Sequence, residues 1–111
     1  MAYDEVLAAR IRELIAGERA LTEKKMFGGL AFLIKGNMAV AASGQGGILV
    51  RVDPAQGAKL IARPEAEPMV MRGRAMEGWL RVDTAGLGTR RALEQWVSRG
   101  VTYAKSLPAK R

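Results

Sequence analysis

From Asp4 to Ala16, Val6, Leu7, Ile11, Leu14 and Ile15 share one stripe while Arg10, Arg12 and Glu13 fall outside it. This spacing predicts an amphipathic helix lying on a sheet, with Gly17 placed to end it. The pattern then turns extended. Lys24 to Phe27 runs through Gly28-Gly29 into the apolar stretch Leu30 to Ile34, and paired glycines inside such a run predict a bulge or a sharp bend. Lys35-Gly36-Asn37 has the chemistry of a short hairpin, Met38 to Ala42 returns as a strand, and Ser43 to Gly47 turns the chain again into Ile48 to Val52. The middle strands are apolar at nearly every position. Both faces of the sheet are therefore expected to be covered, one by helices and the other by a second subunit.

Asp53-Pro54 reads as an N-cap followed by proline at the first helical position, opening a short helix through Ile61 that Pro64 stops. Arg63 to Pro68 is expected as loop, Met69 to Arg72 as strand, Arg74 to Gly78 as a connection, and Trp79 to Val82 as a further strand. From Thr89 the period returns to 3.6, with Ala92, Leu93, Trp96, Val97, Val101, Ala104 and Leu107 on one stripe and Pro108 closing the element. Gly100 inside that helix costs about 1 kcal/mol relative to alanine and points to close packing there. The predicted order is α-β-β-β-α-β-β-α, a two-layer α+β fold with an antiparallel sheet. No repeat, linker or low-complexity tract divides it, so residues 1–111 are expected to form one domain.

Composition narrows the chemistry. Neither cysteine nor histidine is present among the 111 residues. Their absence removes disulfides, thiolate nucleophiles, the commonest transition-metal ligands and the usual general base near neutral pH. No stretch is long and uncharged enough to span a bilayer, and Asp4 and Glu5 are unlike the start of a signal peptide, so the expected location is the cytoplasm. The net charge is +7 and lies toward the C-terminus: nine Lys/Arg stand against eight Asp/Glu up to Pro68, and nine against three from Met69 onward. Such asymmetry fits an acidic partner such as nucleic acid, or a solvated surface that keeps a small protein soluble.

Gly44-Gln45-Gly46-Gly47 lacks the Gly-Lys-Ser/Thr ending of a phosphate loop and leads into a strand, so it reads as a hairpin loop. Among the carboxylates, Asp53 is a cap, Glu65 and Glu67 flank a loop, and Glu77 and Asp83 lie near the ends of the Trp79 strand; none is paired for acid/base work. Lys24 and Lys25 read as strand-edge charges. The internal methionines read as filler of an aliphatic core, the other reading being an adaptable groove. Trp79 and Trp96 read as core anchors. Arg72, Arg74, Arg81, Arg90, Arg91 and Arg99 are the cluster with a partner-specific flavour, and Arg72, Arg74, Arg90, Arg91 and Arg99 are the candidate contact residues, able to make a phosphate-binding surface if they meet in space. No catalytic residue, metal site, cofactor or small-molecule substrate follows from these residues.

Lys25-Met26-Phe27-Gly28-Gly29-Leu30-Ala31-Phe32 resembles the TfoX N-terminal domain family, whose hallmark is a Met-Phe-Gly-Gly run at this bend. Gly36-Asn37-Met38, Leu49 to Val52, Pro68-Met69, Gly73 to Gly78, Leu93 to Val97 and Ser106-Leu107-Pro108 agree in order, so the resemblance spans about residues 6 to 110. It implies an α+β fold with an architecture similar to secretion-chaperone-like domains, and a structural role for Met26, Phe27, Gly28 and Gly29. It implies as well a link to bacterial competence, in which TfoX proteins act with the cyclic-AMP receptor protein at promoters, without catalytic residues or cofactor. TfoX regulators proper carry a second, C-terminal domain that this sequence does not show. The expected function is therefore a non-enzymatic regulatory domain touching DNA or a DNA-bound transcription regulator, the alternative being a homodimeric adaptor or chaperone-like protein-binding module.

Overall fold

The computed structural model describes residues 3–26, 28–71 and 73–109. Helix α1 spans Glu5–Leu14 and is capped by Asp4, whose Oδ1 accepts hydrogen bonds from the backbone N–H groups of Val6 and Leu7 at 3.0 and 3.1 Å. Strands β1 (Leu21–Met26), β2 (Gly29–Ile34), β3 (Asn37–Ala42) and β4 (Ile48–Arg51) follow, then helix α2 (Pro54–Leu60), strands β5 (Ala66–Met71) and β6 (Arg74–Val82), a 3₁₀ turn Thr84–Leu87 and helix α3 (Arg90–Ser106). All pairings are antiparallel, in the order β1-β2-β3-β4-β6-β5. The fold is α+β, as expected.

Where the sequence predicts one strand bent at Gly28-Gly29, the chain reverses completely, and Met26 pairs with Gly29 across the turn. Gly28 has φ of +73°, and a Cβ on Gly29 would overlap the carbonyl oxygen of Ala42. One position needs left-handed backbone and the next needs no side chain, which explains two adjacent glycines. At the Lys35-Gly36 turn both residues have positive φ, and Ile34 pairs with Asn37, so the short hairpin is as predicted. The last two strands are longer than their patterns suggested. β5 takes in Ala66–Pro68, and β6 takes in the expected connection from Arg74 to Gly78. Pro68 is tolerated because β5 is an edge strand.

Phe32 and Val40, Ile48 and Val82, and Val50 and Leu80 pair across neighbouring strands and belong to a main core closed by Leu7 and Ile11 of α1 and by Leu93, Trp96 and Val97 of α3. The opposite pleat carries a second cluster: Ala31, Met38, Ala41, Leu49 and Met69 are at most 5% exposed, with Met26, Leu33 and Trp79 packed against them. That face is buried within the chain and needs no second subunit to cover it. Met38 and Met69 fill core space as expected, whereas Met76 is 37% exposed and does not; Trp96 is a core anchor at 2% exposure, and Trp79 is only partly buried.

Candidate functional site

Among the described residues the predicted arginines sit on different elements. Arg72 lies outside the described residues. Arg74 opens β6 and is exposed, whereas Arg90 opens α3, which follows the other end of that strand and the 3₁₀ turn. Arg90 meets Glu13 of α1 at 3.3 Å, both side chains largely exposed, and Arg91 beside it makes no ion pair among the described residues. A neighbour that sequence reading passed over joins this corner: Arg10 of α1 donates to the carbonyl oxygens of Leu87 and Thr89 at 2.9 and 3.4 Å. Nothing in the sequence spacing announces that contact, which spans most of the chain. Arg99 lies about 180° around the helix axis from Arg90. Its guanidinium stacks on Trp96, 4.5 Å from the ring centroid.

Within the family motif, Met26 ends β1 and packs on the second cluster, Gly28 and Gly29 make the reversal, and Phe27 lies outside the described residues. The motif shapes the sheet; it does not present reactive groups. The Gly44 to Gly47 segment is the β3–β4 hairpin, with Gly47 N–H donating to Thr84 Oγ1 at 3.0 Å.

A groove of about 440 Å³ lies between α2 and the β5–β6 pair. Its origin is local. Asp53 caps α2 by accepting from Ala55 N–H at 2.8 Å, Pro54 starts the helix, and the backbone at Gly57 faces Gly78 of β6 so that the two elements approach closely. Val52 N–H donates to Gly78 O at 2.7 Å and ties the junction. Pro54, Ala58, Ile61, Pro68, Met76 and Trp79 give the groove an apolar lining, in which Glu77 is the one charged residue. Ile61 and Met76 remain 42% and 37% exposed. On the sheet side, Arg51 lies near two aromatic rings, 5.2 Å from the centroid of Trp79 and 5.6 Å from that of Tyr103. Lys59 and Arg74 flank the lining positions in sequence and are exposed.

A second, polar groove of about 310 Å³ runs between α2 and α3, lined by Gln56, Ser98, Arg99, Thr102 and Tyr103, with Asp53 and Ser106 at its ends. Burial, and then the charge of Arg63, pull the proton affinity of Arg99 below its ordinary value, with Glu65 acting in the opposite sense. No group of His, Cys, Asp and Glu suited to a metal ion occurs among the described residues, nor any helix long and apolar enough to cross a membrane.

Residues 13–104, most of the chain, match the family described as the TfoX N-terminal domain. No curated protein and no solved structure matches it.

Proposed function

The chain belongs to the TfoX N-terminal domain family, of non-catalytic and regulatory type, and from that premise we propose that it is a cytoplasmic, non-enzymatic regulatory module that works by holding a DNA-bound transcription regulator. The apolar groove between α2 and β6 carries this reading. Contiguous apolar surface left open to water marks sites where another chain docks, and Ile61 and Met76 supply it here. The dispersal of Arg74 from Arg90 and Arg91 favours a protein partner over direct tracking of a DNA backbone, which needs cations in one line. Lys59 and Arg74 beside an apolar lining suit an amphipathic segment that is acidic on its flanks. The competence setting implied by the family points to the cyclic-AMP receptor protein on its promoter DNA.

The test is a fluorescence-anisotropy titration of this protein onto labelled promoter duplex, with and without the purified receptor protein and cyclic AMP. Added anisotropy only when the receptor is present, lost in Met76→Glu, supports the reading. Equal, steeply salt-dependent binding to bare duplex would replace it with direct DNA contact.

A further inference from the structure

Arg99 carries a feature that protein docking at the α2–β6 groove does not use. Its Nη1 is buried and has no hydrogen-bond partner among the described residues. The guanidinium rests on Trp96, and a second guanidinium, that of Arg63, lies 6.0 Å from the same ring. The acid nearest Arg63 is Glu65, at a loose 3.8 Å. Two guanidinium groups thus stack on one ring in a partly desolvated corner whose one ion pair is loose, with Asp53 and Glu94 lining the grooves on either side. Burying a guanidinium nitrogen without an acceptor is costly, and so is holding it near a like charge. Its lowered proton affinity is a consequence of both.

The space beside Arg99 is lined for an acceptor-rich guest. Polar grooves flank it on two sides, about 310 Å³ toward α2 and about 390 Å³ along α3, and Ser98 lines both. Ser98 immediately precedes Arg99 and Thr102 follows it by three positions, so the two hydroxyls are i, i+4 neighbours on α3; both line the groove toward α2 and neither has a side-chain hydrogen bond among the described residues. Asp53, at the α2 end, is engaged in capping that helix, and Glu94 lies at the far end of the second groove.

We propose that this corner is an oxyanion site for a phosphoryl group, with the Nε–Nη2 edge of the Arg99 guanidinium, the edge that does not include the buried Nη1, and the hydroxyls of Ser98 and Thr102 as donors. Arg63 acts through its field. A phosphoryl group fits better than a carboxylate because its oxygens can accept from the guanidinium fork and from both hydroxyls at once. The groove toward α2 is at the small end of ligand-sized cavities, enough for a phosphomonoester as well as for the free ion.

Isothermal titration of the full chain with inorganic phosphate and, separately, with adenosine monophosphate, at constant ionic strength and with sodium acetate as control, tests the site. Tryptophan emission provides a second readout through Trp96 beneath Arg99. Saturable phosphate binding that Arg99→Ala weakens at least tenfold, that Arg99→Lys restores only in part, and that the Arg90→Ala/Arg91→Ala double variant leaves intact supports the proposal. Nucleotide binding at least tenfold tighter than phosphate assigns the site to a phosphomonoester, and equal binding assigns it to the free ion. Thermal melts establish that Arg99→Ala is folded, and Ser98→Ala/Thr102→Val, which keeps both charges, should weaken binding several-fold. No saturable binding of either probe, binding as tight by acetate, or binding indifferent to Arg99→Ala overturns the proposal, whatever the outcome at the α2–β6 groove.

Discussion

Gly100 in α3 rests on the backbone of Ala39 in β3: a Cβ at position 100 would overlap the Ala39 carbonyl oxygen and come within 3.0 Å of its carbon and 3.2 Å of Val50 Cγ1. The helix reaches the sheet here with no side chain between them. Gly100→Ala would gain about 1 kcal/mol of helix propensity. Overpacking against a backbone carbonyl, which cannot rotate away, costs about 1–3 kcal/mol. Steric overlap with the sheet is expected to win, so urea unfolding should show a net loss of up to about 2 kcal/mol. A stabilised variant would mean that α3 can lift from β3 freely.

The second apolar cluster makes a separate prediction. Leu49 is 1% exposed on the sheet face away from α1 and α3, and its neighbours Ala41, Met38 and Met69 belong to the same chain. Leu49→Ala should cost about 2–4 kcal/mol, as for other fully buried leucines. The unfolding midpoint of the wild-type protein should not change with protein concentration, because closing this face requires no association. A midpoint that rises with concentration would bring back the second subunit that the apolar strands suggested.

Arg12 and Glu23 join α1 to β1 through two hydrogen bonds of 2.6 and 2.9 Å. The hydrogen bond from Arg12 holds the Glu23 carboxyl below its usual range, against a smaller opposing effect of burial. A carboxyl depressed by folding stabilises the protein above its unfolded pKa, and that contribution disappears as pH falls through the folded value. Wild type should therefore be slightly more stable than Glu23→Gln at pH 7, with the two converging in acid. The pair is largely exposed, so the neutral-pH difference should be small and shrink in high salt. Thermal melts across pH 2–7 check the convergence; a gap that widened in acid would contradict the assignment.

The helices, the Lys35-Gly36 hairpin and the Asp53 cap were legible because each depends on residues close in sequence. Gly28-Gly29 was legible as a break and not as a reversal, since a bulge and a tight turn make the same demand on glycine. Pro68 hid the start of β5: a proline speaks against a central strand, and its edge position emerges only once the other strands are ordered. Strand patterns showed that both sheet faces were apolar, but what covers the second face depends on Met69 and Trp79 arriving from much later in the chain. The groove was illegible for the same reason. Ile61 and Met76 belong to separate elements and become one surface only when Gly57 meets Gly78. Likewise, Arg90 and Arg99 share a helix and face opposite ways, which a count of basic residues does not reveal.

Substitutions in the α2–β6 groove should separate binding from stability. Met76 and Ile61 are more than a third exposed in the folded protein, so replacing either by glutamate removes little buried area and should move the melting temperature by no more than a degree or two. The same glutamate would put a charge on the apolar lining beside Glu77, facing the acidic flanks expected of the partner segment. Desolvation and like-charge repulsion then act together, and Met76→Glu or Ile61→Glu should weaken partner binding at least tenfold. Arg74→Ala, at the rim, should act differently: affinity should fall a few-fold at low salt and hardly at all at high salt, because an exposed charge contributes mainly through screened, long-range attraction. Anisotropy titrations of the three variants at two salt concentrations, paired with thermal melts, read out both effects. If the glutamate variants bind as tightly as wild type while Arg74→Ala loses binding at every salt concentration, the contact surface is centred on Arg74 and not on the groove.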